Sequence, residues 1–176
     1  MLSLLYVILL SYLVGSIPTS LIVSKLAKGI DIRQHGSGNA GGTNVIRVLG
    51  LKTGIFVILF DIFKGLVATI LVAKLMYSPF PFTNRTPFED FTLVQILAGS
   101  AAIVGHIWTI FGGFRGGKGI ATAAGMLIGV APWDILVALG VFTIVFMISR
   151  YVSLGSISAA VAFPLTLIVR ENVFKA

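Results

Sequence analysis

Two short stretches carry the residue types that handle small charged molecules. The first reads Gly36-Ser37-Gly38-Asn39-Ala40-Gly41-Gly42-Thr43-Asn44-Val45-Ile46-Arg47. Its small side chains leave backbone N–H groups open to an incoming ligand. Ser37, Asn39, Thr43 and Asn44 add neutral donors and acceptors, and Arg47 adds a fixed cation with a fork of donors. The second reads Phe114-Arg115-Gly116-Gly117-Lys118-Gly119. Glycine backbone beside Arg or Lys suits an oxyanion such as phosphate. The expectation is that the two stretches meet at one membrane face and form one phosphate-handling site.

Both stretches match the letters of better-known motifs without their context. Gly36 to Gly41 spells the dinucleotide fingerprint, which needs a strand before it and an acidic residue about 20 positions later in a βαβ unit. Gly112 to Lys118 spells most of a P-loop, but Gly119 stands where a Ser or Thr would hold magnesium. Nicotinamide, flavin and ATP chemistry are therefore not expected, and no cofactor is assigned. No carboxylate cluster suggests a metal. No Ser-His-acid triad can be argued for Ser37, which has no acid near it in sequence.

The elements that must position these loops are membrane helices. The hydrophobic fraction is 57% and charged residues are only 11%, a composition of the membrane class. With 176 residues the chain holds several spans of about 20 residues each and no separate soluble domain. Its net charge of +7 suits cytoplasmic loops, anionic substrates and lipid head groups, and no nucleic-acid partner is expected. There is no cysteine, which excludes disulfides, thiolate metal sites and an acyl-cysteine intermediate. The N-terminus lacks the basic region of a signal peptide and reads as a retained first helix.

Six apolar segments are expected: residues 2–24, 54–76, 92–111, a short one from Gly119, 135–149 and 152–169. Pro18 should kink the first, with Gly15, Ser16 and Ser20 packing around the break. Lys25 and Lys28 close it. The polar loop 25–53 carries five cations against Asp31 and should be cytoplasmic. Within it Thr43 is expected to cap a short helix, with Asn44 and Arg47 sharing a face toward one ligand. Asp61 and Lys64, three apart in the second span, can pair on one face. That pair reads as a structural lock between helices or as support for the loop site. Residues 77–91, with three prolines, should lie outside. Gly99 to Ala102, and Gly125 with Gly129, allow close helix packing. His106 sits near the end of the third span, facing the loop 112–119, which is again expected to be cytoplasmic. Pro132-Trp133-Asp134, Arg170-Glu171-Asn172 and the terminal Lys175-Ala176 fall outside, as does the N-terminus.

In combination these residues resemble a known family. Gly36-Ser37-Gly38-Asn39-x-Gly41-x-Thr43-Asn44-x-x-Arg47 is similar to the first signature of the bacterial acyl-phosphate:glycerol-3-phosphate acyltransferases, the PlsY family. Asp61-x-x-Lys64-Gly65, Gly105-His106 and Phe114-Arg115-Gly116-Gly117-Lys118-Gly119-x-Ala121-Thr122 resemble its next signatures, and Arg150-Tyr151-Val152-Ser153-Leu154 fits as well. The resemblance runs along nearly the whole chain. It implies an all-α, polytopic membrane enzyme of the bacterial cytoplasmic membrane, a single domain over 1–176 with two cytoplasmic Gly-rich loops. The family has one further C-terminal helix, so the chain is expected to be C-terminally incomplete. The implied reaction moves a fatty acyl group from acyl phosphate to the 1-hydroxyl of glycerol 3-phosphate, giving lysophosphatidate and phosphate.

The resemblance also implies roles. Arg47 and Lys118 would hold substrate phosphates. Ser37 and Asn39 would stand at the reaction centre, with His106 as a site wall or proton partner. Gly38, Thr43, Asn44, Gly116, Gly117 and Gly119 would bind substrate. Two other readings use the same residues: a phosphate or organophosphate transporter, and a non-catalytic membrane subunit in which the glycine loops are only tight turns. Oligomeric state is not legible.

Overall fold

The computed structural model describes residues 2–79 and 90–173. Among them eight α-helices follow one another: α1 (Leu2–Gly15), α2 (Thr19–Lys28), α3 (Gly42–Leu49), α4 (Leu51–Val67), α5 (Phe91–Ile107), α6 (Ile120–Val130), α7 (Pro132–Ser149) and α8 (Val152–Val173). Four helical stretches are long and apolar enough to cross a membrane: Leu2–Lys28, Leu51–Tyr77, Phe91–Gly112 and Pro132–Ser149. Ile120–Val130 and Leu154–Arg170 are shorter apolar helices. Most of the proline-rich loop expected at 77–91 and the terminal Lys175-Ala176 lie outside the described residues. The chain divides into two compact units, Met1–Val130 and Ala131–Ala176.

In the first unit α1 packs on α5, and α4 packs on α3 and α6. Small residues bring these backbones together. A Cβ on Gly15 would strike the Ala102 backbone, one on Gly65 would strike Thr122 O, and one on Gly125 would strike Ile62 O. Without a strong hydrophobic drive between helices in lipid, such close backbone approach supplies the packing energy. One apolar core joins Val7 of α1 to Val72, Ala73 and Met76 beyond α4 and to Val94 and Ala98 of α5. A second, made of Ile32, Ala40, Val45 and Val57, lies beneath the first glycine loop. Leu5, Leu9, Phe56, Leu59 and Phe63 point outward, as lipid-facing residues must.

The first span is broken where a kink was expected. Pro18 has no N–H and its ring excludes a helical turn before it. The helix stops at Gly15 and resumes at Thr19. The freed carbonyls find partners far away in the chain: Thr109 Oγ1, just past α5, donates to Ser16 O, and Lys64 Nζ of α4 donates to Ile17 O at 3.0 Å. Ser16 Oγ in turn donates to Gly105 O at 3.2 Å. Beyond Val67, residues Ala68–Val72 widen into a π-turn, where Thr69 Oγ1 donates to Gly65 O.

The second unit is a pair of helices, α7 and α8. Phe142 and Phe146 stack at 6.0 Å, and Gly155 lies against Phe142. Arg170 reaches buried Asp134 at 3.1 Å. Both residues were expected on the same side of the membrane, and the pair joins them.

Candidate functional site

The first loop is built by three side chains, those of Asp31, Arg33 and Asn44. Asp31 caps the short turn Ile32–Gln34 by accepting from Arg33 N at 2.9 Å. Its carboxylate also takes Arg33 Nε and Nη2, the latter at 2.7 Å. The Arg33 guanidinium hydrogen-bonded to Asp31 holds that carboxyl below the usual carboxylate range, and Asp31 raises the guanidinium in return. Arg33 Nη1 then donates to Gly112 O at 2.6 Å and to Arg115 O at 3.2 Å. One guanidinium therefore ties the first loop to the second. Sequence reading did not single out Arg33. Its position two residues after the only acid of the loop was the available signal.

Asn44 organises the rest. It is 1% exposed. Its Oδ1 accepts from Ser37 N at 2.8 Å, and its Nδ2 donates to Ile32 O, His35 O and Asn39 O at 3.1, 2.9 and 3.1 Å. Gly36 (φ 62) must be glycine twice over, since its backbone is left-handed and a Cβ would meet Asn44 Oδ1. Asn44 and Arg47 were expected to reach one ligand together; both line one cavity, and the Asn44 amide also holds the loop backbone. Thr43 does not cap α3. The helix begins at Gly42, with Gly41 in extended conformation as its cap and no side-chain cap bond. Gly42 takes the first helical position, so Thr43 falls inside the first turn, exposed.

The second loop leaves α5 at Ile107. Gly116 N donates to Ile107 O at 2.9 Å and Gly117 N to His106 O at 3.2 Å. Gly117 is where the two glycine loops touch. A Cβ there would meet His106 Nε2 on one side and Ala40 O on the other. Ser20 Oγ fixes that same Ala40 carbonyl at 2.9 Å. A glycine at this point is required by close approach rather than by backbone angle.

Beneath the loops lies a buried polar cluster. Lys64 Nζ stands 2.8 Å from Asp61 Oδ1, and each residue is 2% exposed. Thr19 Oγ1 donates to the same oxygen at 3.2 Å, and His106 Nδ1 lies 3.6 Å from it. Thr19, at the restart of the broken first span, is a cluster member that sequence reading did not single out.

These parts surround a cavity of about 620 Å³. Ser37, Asn39, Thr43, Asn44 and Arg47 face it from the first loop, Lys118 and Gly119 from the second, and Asp61 and His106 from below. Ile58, Ile62, Ala121 and Ala124 line an apolar flank. Arg47 and Lys118 are exposed, and among the described residues neither pairs with an acid. Asp61 is already neutralised by Lys64. The cavity therefore presents two available cations, hydroxyl and amide groups, and an oily side: a place for an anion carrying a chain. Three expected residues stand elsewhere. Gly116 and Gly117 line a narrow recess beside it, together with Asp61, Lys64 and His106. Gly38 faces a separate hollow of about 600 Å³ with Arg33 and Arg115. Its backbone is left-handed, with φ at 73°, and its neighbours Ser37 and Asn39 line the main cavity.

A sequence model described as glycerol-3-phosphate acyltransferase matches residues 5–176. The chain is 52% identical over 174 residues to the glycerol-3-phosphate acyltransferase of Chlorobaculum tepidum, covering 99% of this chain and 74% of that protein. It is 53% identical over 179 residues to that of Chlorobium chlorochromatii, with the same coverage. Among solved structures it is similar to the crystal structure of PlsY (YgiH), an integral membrane glycerol 3-phosphate acyltransferase. The glycerol 3-phosphate form gives a TM-score of 0.73 at 38% identity, over 95% of this chain and 77% of that one. The lysophosphatidic acid form gives 0.72 at 37%, over 95% and 76%.

Proposed function

This chain belongs to the glycerol-3-phosphate acyltransferase family, and from that premise we propose that its cavity transfers a fatty acyl group from acyl phosphate to the 1-hydroxyl of glycerol 3-phosphate. One observation carries the residue-level reading. Two free cations on separate loops and an apolar flank line the same cavity. Arg47 and Lys118 bind the phosphates. Ser37, Asn39 and Thr43, with backbone N–H groups of the glycine loops, surround the reacting centre. Ile58, Ile62, Ala121 and Ala124 take the start of the acyl chain.

The mixed anhydride is already activated, so the chemistry asks for positioning and charge stabilisation more than for a protein nucleophile. The glycerol hydroxyl oxygen attacks the acyl carbonyl carbon. An ester C–O bond forms, the acyl–phosphate C–O bond breaks, and inorganic phosphate leaves. A phosphate oxygen of the substrate accepts the hydroxyl proton. The cations stabilise charge that builds on the leaving phosphate.

The same reading makes residues 1–176 one transmembrane domain with six spans. It places that domain in the bacterial inner membrane among lipids, with both glycine loops cytoplasmic and the N-terminus outside. The basic loops support this orientation. The test is phosphate release by purified protein given palmitoyl phosphate, with and without glycerol 3-phosphate. Release that needs glycerol 3-phosphate and falls at least tenfold in Arg47→Ala is expected, by the loss of a charge-assisted contact of about 1.5–3 kcal/mol. Arg47→Ala with wild-type turnover would sink the phosphate clamp.

A further inference from the structure

We propose that Asp61 is a positioning residue. It holds the imidazole of His106 with Nδ1–H toward its carboxylate, and through that ring it sets the Gly116–Gly119 loop that carries Lys118. For the activity arm this rests on the function proposed above.

A charge lock between helices needs only Asp61 and Lys64. The cluster does more. Asp61 Oδ1 gathers Lys64, Thr19 and His106 at 2.8, 3.2 and 3.6 Å. Asp61 and His106 both reach the wall of the main cavity. Lys64 lines the recess and donates a second time, to Ile17 O, which anchors the cluster to the broken first span. A carboxylate only accepts, so the ring nitrogen facing it carries the proton. The 3.6 Å separation is long for a hydrogen bond. Contacts of this kind tighten when substrate completes a site.

The far side of the ring meets the second loop. His106 Nε2 lies so close that a Cβ on Gly117 would clash with it, and the His106 carbonyl accepts from Gly117 N at 3.2 Å. Ring and backbone of one residue thus hold one glycine, with Ala40 O on its other side. Lys118 is the next residue in the chain. The orientation of the imidazole, set by Asp61, fixes where that lysine starts. A carboxylate that sets the orientation of a working histidine through Nδ1 is a recurrent device.

Two measurements test this. The protein has two histidines, His35 and His106, so imidazole ¹⁵N spectra of the His35→Gln protein report His106 alone. A protonated Nδ1 is expected, and an unprotonated Nδ1 overturns the proposal. The Asp61→Asn, Lys64→Gln double variant removes both buried charges together, so neither is stranded. It is expected to fold with a single melting transition, lowered by loss of the Lys64 bond to Ile17 O, to lose the fixed Nδ1 proton, and to raise KM for glycerol 3-phosphate by about 10–100-fold, the scale of a small misplacement of a binding group. Asp61→Glu should restore part of that loss. A folded double variant with the wild-type imidazole spectrum and KM overturns the proposal. If the double variant does not fold, the spectrum of the His35→Gln protein decides. The spectrum needs no turnover. Absence of glycerol 3-phosphate-dependent phosphate release in the wild type would therefore defeat the functional reading alone.

Discussion

Asn44 spends one buried amide on four partners, and this gives its substitutions a distinct order. Asn44→Ala removes the donors to three carbonyls and the acceptor for Ser37 N. Each stranded group costs roughly 1–3 kcal/mol where water cannot replace the partner. Some water reaches this loop, so a net loss of about 3 kcal/mol in unfolding stability is expected. Asn44→Asp should be worse than Asn44→Ala, because a carboxylate would face three carbonyl oxygens and could donate to none. Thermal unfolding in detergent checks the order, and equal midpoints for the two variants would contradict it. The Arg33–Asp31 clamp adds a pH dependence. Its carboxyl titrates lower in the folded chain than the ordinary value of 3.8. A depressed carboxyl stabilises the fold fully above its unfolded pKa, and the contribution is lost as pH falls through the folded value. The contribution of the clamp should therefore be fully present above about pH 5 and be lost only below about pH 4. Amide hydrogen exchange at residues 32–39 measures this, and the acid-side change should vanish in Asp31→Asn.

Helices set the cavity by how closely they approach, and within the first unit α4 is the one on which α1, α2, α3, α5 and α6 bear. Gly65 and Gly125 each put a backbone against a facing carbonyl across the α4–α6 contact. Gly125→Leu should push α6 off α4, lowering stability by about 1–3 kcal/mol as an overpacked site, and widen the apolar flank at Ile62 and Ala124. A lower melting midpoint with a raised KM for acyl phosphate is expected; unchanged values for both would contradict this. The spacing of Gly125 and Gly129 was legible as a packing motif because it needs only local periodicity. Both face α4 and its π-turn, against Ile62 and Thr69. The break at Pro18 was legible only as a kink. Its full width depends on Lys64 and Thr109, which lie 47 and 93 positions from the carbonyls they satisfy. No local pattern carries that information. The start of α3 was misplaced by two residues for a related reason: Thr43 is a good cap type, but the glycines before it let the helix begin sooner, with Gly41 as its cap. The pairing of Asp61 with Lys64 was readable from their spacing, whereas His106 and Thr19 join it through tertiary packing alone.

For the molecule as a whole, composition and charge were enough to read a helical membrane protein with two basic loops. The cavity that joins those loops had to wait for the fold. Positive residues crowd the segments 25–53 and 112–119, and the positive-inside rule predicts both at the cytoplasmic face, the orientation proposed above. The absence of native cysteine makes this directly testable. Single cysteines at exposed Lys52 and Arg115 should both react with an impermeant maleimide from the cytoplasmic side of oriented vesicles, and labelling from opposite sides would contradict the orientation. The central claim is that the two loops act as one site. The measurement that reaches it most directly is a double-mutant cycle on Arg47→Ala and Lys118→Ala, reading kcat/KM for glycerol 3-phosphate in phosphate release from palmitoyl phosphate. Two cations around one cavity should be non-additive, with a coupling of about 0.5–3 kcal/mol. Losses that simply add, or a Lys118→Ala protein with wild-type turnover, would mean that the loops do not share the reaction.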